Sequence, residues 1–307
     1  MTRGPLDSQL AGAPISWGVC EVPGWGAQLA PERVLAEMAS LGLRATEAGP
    51  VGYLGTDPET VVALLARHEL RLVGGFLPVV LHEAAEHDAA LAAANSWGSL
   101  LEAAGASLLI SAVVVDLDWS PRVPLSERQW RTTFDGLARL DEAAQKQGLD
   151  HVTHPHWGTL VETREDVVQL LEGSTARLCL DTGHLALGGT DPAWLARVAG
   201  DRIGHVHLKD VAAPVVDRLR CRELELVAAV GAGLFPPLGE GSAPIAETIR
   251  ELERGGYQGW YVLEQDRALA SADPDDGEGP VEEMRRSLEF ARAVLEGAGA
   301  RPAAEGG

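Results

Sequence analysis

Eight short apolar runs recur along the 307-residue sequence, and seven are clearly separated by stretches with apolar residues at three- and four-residue spacing. The runs are GAPISWGV (12–19), LRATEAG (43–49), LRLVGGFLP (70–78), SLLISAVVV (107–115), LDHVTHP (149–155), ARLCLDTG (176–183), IGHVHLKD (203–210) and GWYVLEQD (259–266). Intervening segments such as PERVLAEMASLG carry the helical period, and TDPETVVALLARHEL and DPAWLARV place proline in a first helical turn. Strands joined across helices pair in parallel through right-handed crossovers. The count predicts an α/β fold, a single-domain (β/α)8 TIM barrel, for which about 250 residues is typical. The barrel is expected over residues 1–300, with an insertion around 211–238 and a flexible tail over 301–307. The acidic, Gly/Pro-rich stretch 271–280 reads as a mobile loop. An open doubly wound sheet is the rival, but GVCEVPGWG after the first run lacks the GxGxxG phosphate loop.

Charge narrows the partners. A net charge of −20, from 45 acids and 25 bases, repels phosphate backbones and anionic membranes, so neither nucleic acid nor membrane is expected. No run approaches the ~20 apolar residues of a membrane span. The first residues lack the basic start and apolar core of a signal peptide. Cys20, Cys179 and Cys221 lack metal-ligand spacing and read as reduced thiols of a cytoplasmic protein.

Function in such a barrel sits at the C-terminal strand ends. Those ends carry Glu47 on the second run, His154 and His156 on the fifth, Asp181 on the sixth, His207 on the seventh and Glu264 on the eighth. Two imidazoles and two carboxylates suit a borderline divalent ion, Mn²⁺ or Co²⁺ foremost, with Mg²⁺ or Zn²⁺ as alternatives. The metal set is His154, Asp181, His207 and Glu264. His205 shares a strand face with His207 and reads as a hydrogen-bonded interior residue. Asp181 could instead only cap the turn DTGH, and Lys209 could only form a salt bridge. In the functional reading Lys209 stabilises an enolate or moves a proton. Glu47 reads as a substrate contact, a base or the partner of an arginine. Glu162 and Glu240 read as loop-ordering residues, and Gln265 and Asp266 as outward-facing or rim residues. Trp17, Trp25 and Trp157 could stack on a sugar ring or close the barrel top.

The succession HPHWGT (154–159), LDTGHL (180–185), GHVHLKD (204–210) and LEQD (263–266) resembles the sugar phosphate isomerase/epimerase group of xylose-isomerase-like TIM barrels. Within that group it is nearest to the inosose dehydratase-like proteins, and the likeness spans nearly the whole chain. The resemblance implies a metal quartet of Glu, Asp, His and Glu, whose last three positions are Asp181, His207 and Glu264 here. It also implies that His184 lies beside the substrate. This chain departs from the family's commoner E-N-H-P-G pattern, with His154 in the glutamate's place and His156 in the histidine's. One of the two opposed glutamate bases implied for the epimerases is therefore missing. A lyase with a His or Lys acid/base becomes the leading expectation: a metal-dependent dehydratase acting on a cyclitol or sugar ketone through an enolate. His154, His156 and Glu264 are the candidate bases, and His184 and Lys209 the candidate acids. Trp17, Glu47, His156, His184 and Lys209 form the expected substrate-binding set. A keto-sugar isomerase or epimerase is the alternative. A non-catalytic sugar-binding barrel and a DNA-repair endonuclease rank below both. Residues 211–233 read as helix that either covers the site or mediates contacts in a homo-oligomer.

Overall fold

The computed structural model describes residues 9–22, 24–271 and 279–299. The expected tail at 301–307 and the core of the expected mobile loop, 272–278, lie outside the described residues. The strands are β1 (Leu10–Gly12), β2 (Ala45–Thr46), β3 (Arg71–Leu72), β4 (Gly74–Val79), β5 (Leu108–Val113), β6 (Asp150–Thr153), β7 (Leu178–Asp181), β8 (Ile203–Leu208) and β9 (Tyr261–Leu263). They form one parallel sheet in the order β3-β2-β1-β9-β8-β7-β6-β5-β4. Its two ends are halves of one stretch of chain, separated only by Val73. The Val73 N–H donates to Thr46 O (2.9 Å) and its carbonyl accepts from Ser107 N–H (3.2 Å), so the sheet closes on itself. Nine assigned strands are thus the eight of a (β/α)8 barrel, one of them interrupted.

The helices are α1 (Pro31–Ser40), α2 (Pro58–Arg67), α3 (His87–Ala103), α4 (Glu127–Lys146), α5 (Arg164–Gly173), α6 (Thr182–Leu187), α7 (Pro192–Ala199), α8 (Ala213–Arg220), α9 (Leu226–Gly231), α10 (Ile245–Arg254) and α11 (Pro280–Gly299). Their starts follow local chemistry. Asp57 accepts the Thr60 N–H at the start of α2, while Ser126 with Gln129 and Thr163 with Asp166 form capping boxes on α4 and α5. Among the described residues, no helix is long and apolar enough to cross a membrane.

The first expected strand is misplaced by a few residues. Residues 10–12 pair with β2 and β9, and Pro14–Trp17 is a 3-10 turn. Pro14 has no N–H to give a ladder, and Gly18 ends the turn at φ 80°.

Small residues fill one side of the barrel interior (Ala11, Ala13, Ala45), with Val73 and Val262; Leu108, Ile110, Val152 and Cys179 fill the other. A larger apolar layer joins the helices to the outer barrel wall. A third cluster lies at the C-terminal mouth, where Val216 and Leu219 of α8 and Ala229 and Val230 of α9 pack with Trp25, Leu187 and Phe235. The segment after β8 is therefore a two-helix cap over the barrel mouth. Asp210 holds its far end. Its Oδ1 accepts the N–H groups of Val211 (2.8 Å) and Ala243 (2.9 Å), and its Oδ2 those of Gly239 (2.9 Å) and Gly241 (3.0 Å). A Cβ at Gly241 would lie 2.2 Å from Asp210 Oδ1, which explains the glycine.

Candidate active site

Strand alternation places every second residue of β8 and its extension on the barrel interior, so His205, His207 and Lys209 rise in three levels. Beside them, on neighbouring strand ends, stand Asp181 at the end of β7, His154 just past β6 and Glu264 just past β9. His207 Nδ1 lies 3.2 Å from Glu264 Oε2 and 3.6 Å from Asp181 Oδ2, and His154 Nε2 lies 3.6 Å from Asp181 Oδ2. Asp181, His207 and Glu264 present ligand atoms within 4.8 Å of one another, and His154 joins both Asp181 and His207 at that spacing.

The hydrogen bonds orient the two rings. His207 Nε2 donates to Glu47 Oε1 (2.8 Å), which turns Nδ1 toward Asp181 and Glu264. Burial opposes a charge on this imidazole, but Cys179, Glu264 and Glu47 hold it well above its ordinary value. His154 Nδ1 donates to the Pro155 carbonyl (2.9 Å), which turns Nε2 toward Asp181. His207 Nδ1 and Asp181 Oδ2 are buried and have no hydrogen-bond partner. Orphaned buried polar atoms are costly unless something else satisfies them. A divalent cation held by His154, Asp181, His207 and Glu264 fits this donor set, and these residues can hold a divalent metal. Its carboxylate–histidine support is Glu47, which also accepts from His205 Nε2 (2.6 Å). Cys179 lies near His154 and His207, but burial pushes its thiol up to about 11 and keeps it protonated.

The motif Asp181-Thr182-Gly183-His184 is organised around Lys209. Asp181 Oδ1 caps α6 by accepting the Gly183 and His184 N–H groups, both at 2.8 Å. Thr182 Oγ1 accepts from Lys209 N–H and donates to Lys209 O, both at 2.8 Å. A Cβ at Gly183 would lie 2.7 Å from Lys209 Cγ, so the glycine makes room for the lysine stem. His184 Nε2 then faces Lys209 Nζ at 3.0 Å. The ammonium also reaches Asp266 Oδ1 (2.7 Å), Glu264 Oε2 (3.0 Å) and Asp181 Oδ2 (3.5 Å).

Burial opposes the charge of Lys209, but Asp181, Asp266 and Glu264 outweigh it and hold the ammonium well above its ordinary value. Burial likewise opposes charge on Glu47, Asp181 and Glu264, yet their cationic neighbours keep all three below the usual carboxylate range. Asp266 is different: burial, aided by Glu264 and Asp181, lifts it to about 6 despite Lys209. Four carboxylates thus face two cations, the Lys209 ammonium and the His207 imidazolium, and this excess of negative charge is a second sign that the site suits a dication. Burial, then His154 and Lys209, push His156 down to about 3, and burial also lowers His184 and His205.

These depressed imidazoles give stability a sign. Below pH 6.5 the unfolded chain protonates His156, His184 and His205, while the folded chain resists. Stability therefore falls as pH drops from 7 toward 5, by at most about 1.4 kcal/mol per pH unit for each such group. Asp266 and His207 offset part of this loss: the raised value of Asp266 makes the folded state take up a proton near pH 6, and the folded His207 already holds the proton that the unfolded chain gains only near 6.5. Melting temperatures of chelator-treated protein across pH 5–7.5 check it, and a rise in stability on acidification would contradict it.

Of the residues singled out in the sequence, His154, His156, Asp181, His184, His207, Lys209 and Glu264 converge around one cavity. Glu47 lines it too, and its Oε1 accepts from both His205 and His207. Trp17 does not reach the cavity: it is fully buried, and its indole N–H donates to Glu37 Oε2 (2.7 Å). Trp25 and Trp157 do line it, as does Glu162, whose Oε2 accepts the Gly158 N–H (2.6 Å). Glu240 pairs with Arg286 on the exterior. His151 points out of the barrel, bonding Ser111 Oγ (2.7 Å) and Asp141 between β5, β6 and α4. Asp266, expected to face outward or line the rim, lines the cavity, with Oδ1 2.7 Å from Lys209 Nζ. Its signal was available, two residues beyond Glu264 on the same strand face. Phe76 and Trp119 also line the cavity. Phe76 had a period-two signal, while Trp119 lies in a loop that carries no periodic signal.

Glu47→Gln tests the supporting carboxylate. Loss of its charge should weaken Mn²⁺ or Co²⁺ binding by about 10–100-fold with the fold intact. Metal titration of chelator-stripped protein reads this directly, and unchanged affinity would remove Glu47 from the role.

A closed parallel barrel with an imidazole–carboxylate cluster at its C-terminal rim defines a barrel enzyme whose rim can hold a divalent metal. The profile of the xylose isomerase-like TIM barrel family matches residues 35–294, and the chain belongs to that family. It is 33% identical over 274 residues to an inosose dehydratase from Geobacillus kaustophilus (strain HTA426), covering 85% of this chain and 88% of the relative. It is 30% identical over 295 residues to an inosose dehydratase from Bacillus thuringiensis (strain Al Hakam), covering 91% and 95%. The fold is also that of the IOLI protein with a bound zinc atom (TM-score 0.70, 13% identity, 95% and 99% covered). A D-allulose 3-epimerase from Methylomonas sp. in complex with D-allulose is similar in the same way (TM-score 0.66, 18% identity, 93% and 96% covered).

Proposed function

We propose that this chain is a divalent-metal-dependent dehydratase that removes water from a cyclitol or sugar ketone of the inosose class. The observation that carries this reading is the strand-five substitution. His154 stands where the epimerase pattern has a glutamate, so the cluster lacks the second of two opposed carboxylate bases. The inosose dehydratase relatives, at 33% and 30% identity over most of their length, support the same substrate class.

His154, Asp181, His207 and Glu264 would hold the metal, Mn²⁺ or Co²⁺ foremost, which polarises a carbonyl and so contributes several kcal/mol. His156 is the base. Its Nδ1 donates to Trp157 O (2.7 Å), which leaves the Nε2 lone pair to take the proton α to the ketone. Lys209, kept charged by three carboxylates, delivers the proton to the departing hydroxyl, and His184 Nε2 positions its Nζ. Such acid/base assistance typically adds about 10²–10⁴-fold. We read the chain as a cytoplasmic enzyme with a small-molecule substrate and, from its −20 charge, no nucleic-acid partner.

Chelator-stripped protein re-supplied with each divalent ion and incubated with 2-keto-myo-inositol tests this by mass spectrometry. Metal-dependent loss of one water is the expected result. Rearrangement at constant mass would favour an isomerase or epimerase, and failure to bind any divalent metal would overturn the site.

A further inference from the structure

The cavity is larger and less polar than a cyclitol requires. It offers about 860 Å³ and opens to solvent at its mouth. Even at the ~30 Å³ that one water occupies in the liquid, the ~12 heavy atoms of an inosose would fill only about 360 Å³. The polar groups gather on the floor, at the strand ends. Above them one wall is aromatic: Phe76 and Trp119 stack with ring centres 6.5 Å apart and planes 18° from parallel. Trp119 lies 5.9 Å from His156, and Phe76 lies 6.3 Å from both His154 and His156. The wall therefore runs from the proposed base toward the mouth. Trp119 is held there at φ 57°, a backbone region that side-chain-bearing residues rarely adopt. Asp116 Oδ1 fixes the turn by accepting the N–H groups of Asp118 (3.1 Å) and Ser120 (3.0 Å) on either side of it.

The remainder of the outer wall includes Val22 and, from the cap, Leu224, Leu226 and Val227. Three polar side chains at the mouth are engaged: Arg122 holds Asp166 (2.8 Å), Arg220 holds the Leu187 carbonyl (3.0 Å), and Glu162 holds the Gly158 N–H (2.6 Å). Glu21, Arg222 and Glu225 also line the cavity. An aromatic ring needs only the apolar surface that Phe76, Trp119 and the cap's Leu224, Leu226 and Val227 supply.

We propose that the outer cavity is a subsite for an aromatic leaving group, so that the enzyme eliminates phenols from keto-glycosides that carry an aryloxy group on the carbon β to the ketone. The inference rests on the lyase reading above. The step is the same elimination with a different leaving group. The α C–H proton passes to His156 Nε2, and its electron pair becomes the carbon–carbon double bond. The bond from the β carbon to the aryloxy oxygen breaks with its pair on oxygen, and a proton from Lys209 Nζ completes the phenol. An unsaturated ketone and a phenol are the products, with no oxidant or reductant consumed.

The test uses metal-loaded enzyme and a keto-glucoside with a 4-nitrophenoxy group β to the ketone, read by nitrophenolate absorbance over the enzyme-free rate. Water loss from 2-keto-myo-inositol is measured in parallel. We expect nitrophenolate release with kcat/KM about tenfold or more above that for water loss, the scale of one good aromatic contact with some apolar burial. Trp119→Ala should lower kcat/KM for the aryl substrate about tenfold, mainly through KM, and that for the inosose by much less. Trp119→Phe should retain most of the aryl activity, which separates a lost ring from a damaged fold. Water loss from the inosose with no catalysed nitrophenolate release would overturn the subsite and leave the lyase standing. Equal losses on both substrates in Trp119→Ala would also overturn it. No elimination from either substrate would overturn both readings.

Discussion

Asp181→Asn should leave a folded protein that no longer retains a divalent metal and whose kcat is at least about 10³-fold down. Asp181 does two jobs with two oxygens. Oδ1 caps α6 by accepting two N–H groups at 2.8 Å, and Oδ2 faces His154, His207 and Lys209 without a hydrogen bond of its own. Asparagine can keep the first job and fails the second, because its amide nitrogen would turn a positive edge toward the cation and the ammonium. A carboxylate ligand worth several kcal/mol converts, at about 1.4 kcal/mol per tenfold, to three or more decades of rate. Asp181→Ala is the control: it loses the cap as well, which adds about 1 kcal/mol of destabilisation. Metal content after dialysis, kcat and melting temperature together read the two oxygens separately. An asparagine variant that binds Mn²⁺ within tenfold of wild type would remove Asp181 from the metal set.

The fold was legible because the strand and helix periods are strong and because parallel strands joined by helices have few ways to close. The interruption at Val73 was not, since a strand that changes partners halfway keeps an unbroken apolar pattern. Legibility of the site followed the same line. His205, His207 and Lys209 share a strand face by simple alternation, and Asp181, Glu264 and His154 come from neighbouring strand ends, so order along the chain becomes order around the rim. Asp266 obeys that rule too, two residues beyond Glu264. Trp17 failed it because Pro14 ends the strand and a 3-10 turn carries the indole into the core toward Glu37. His151 sits one residue off the His154–His156 face, where alternation sends it outward to Ser111 and Asp141. Trp119 lies in a loop placed by Asp116, and long-range placement by a loop leaves no period to read.

Lys209→Met should cost both stability and turnover, and the two losses have different causes. Removing the ammonium leaves Asp181, Glu264 and Asp266 buried without it, and breaking such a buried arrangement costs about 3–5 kcal/mol in metal-free protein. The pH dependence should flatten in part. In the wild type the lowered values of Asp181 and Glu264 contribute stability that is lost as pH falls through the folded values. Without Lys209 both carboxylates rise toward their unfolded values, although His207 still holds Glu264 down, so less stability is lost on acidification. Stripped Lys209→Met should therefore recover stability relative to wild type on acidification toward pH 5. Its kcat should fall by about 10²–10⁴, the loss of a positioned proton donor. Lys209→Arg separates charge from proton transfer, because a guanidinium keeps the positive charge but does not give up its proton in this range. Restored stability with kcat still depressed would assign Lys209 the proton of the leaving group. Restored stability together with restored kcat would leave Lys209 a purely electrostatic role. The acid would then be sought at Asp266, whose carboxyl lies 2.7 Å from the same ammonium and is raised by burial to about 6.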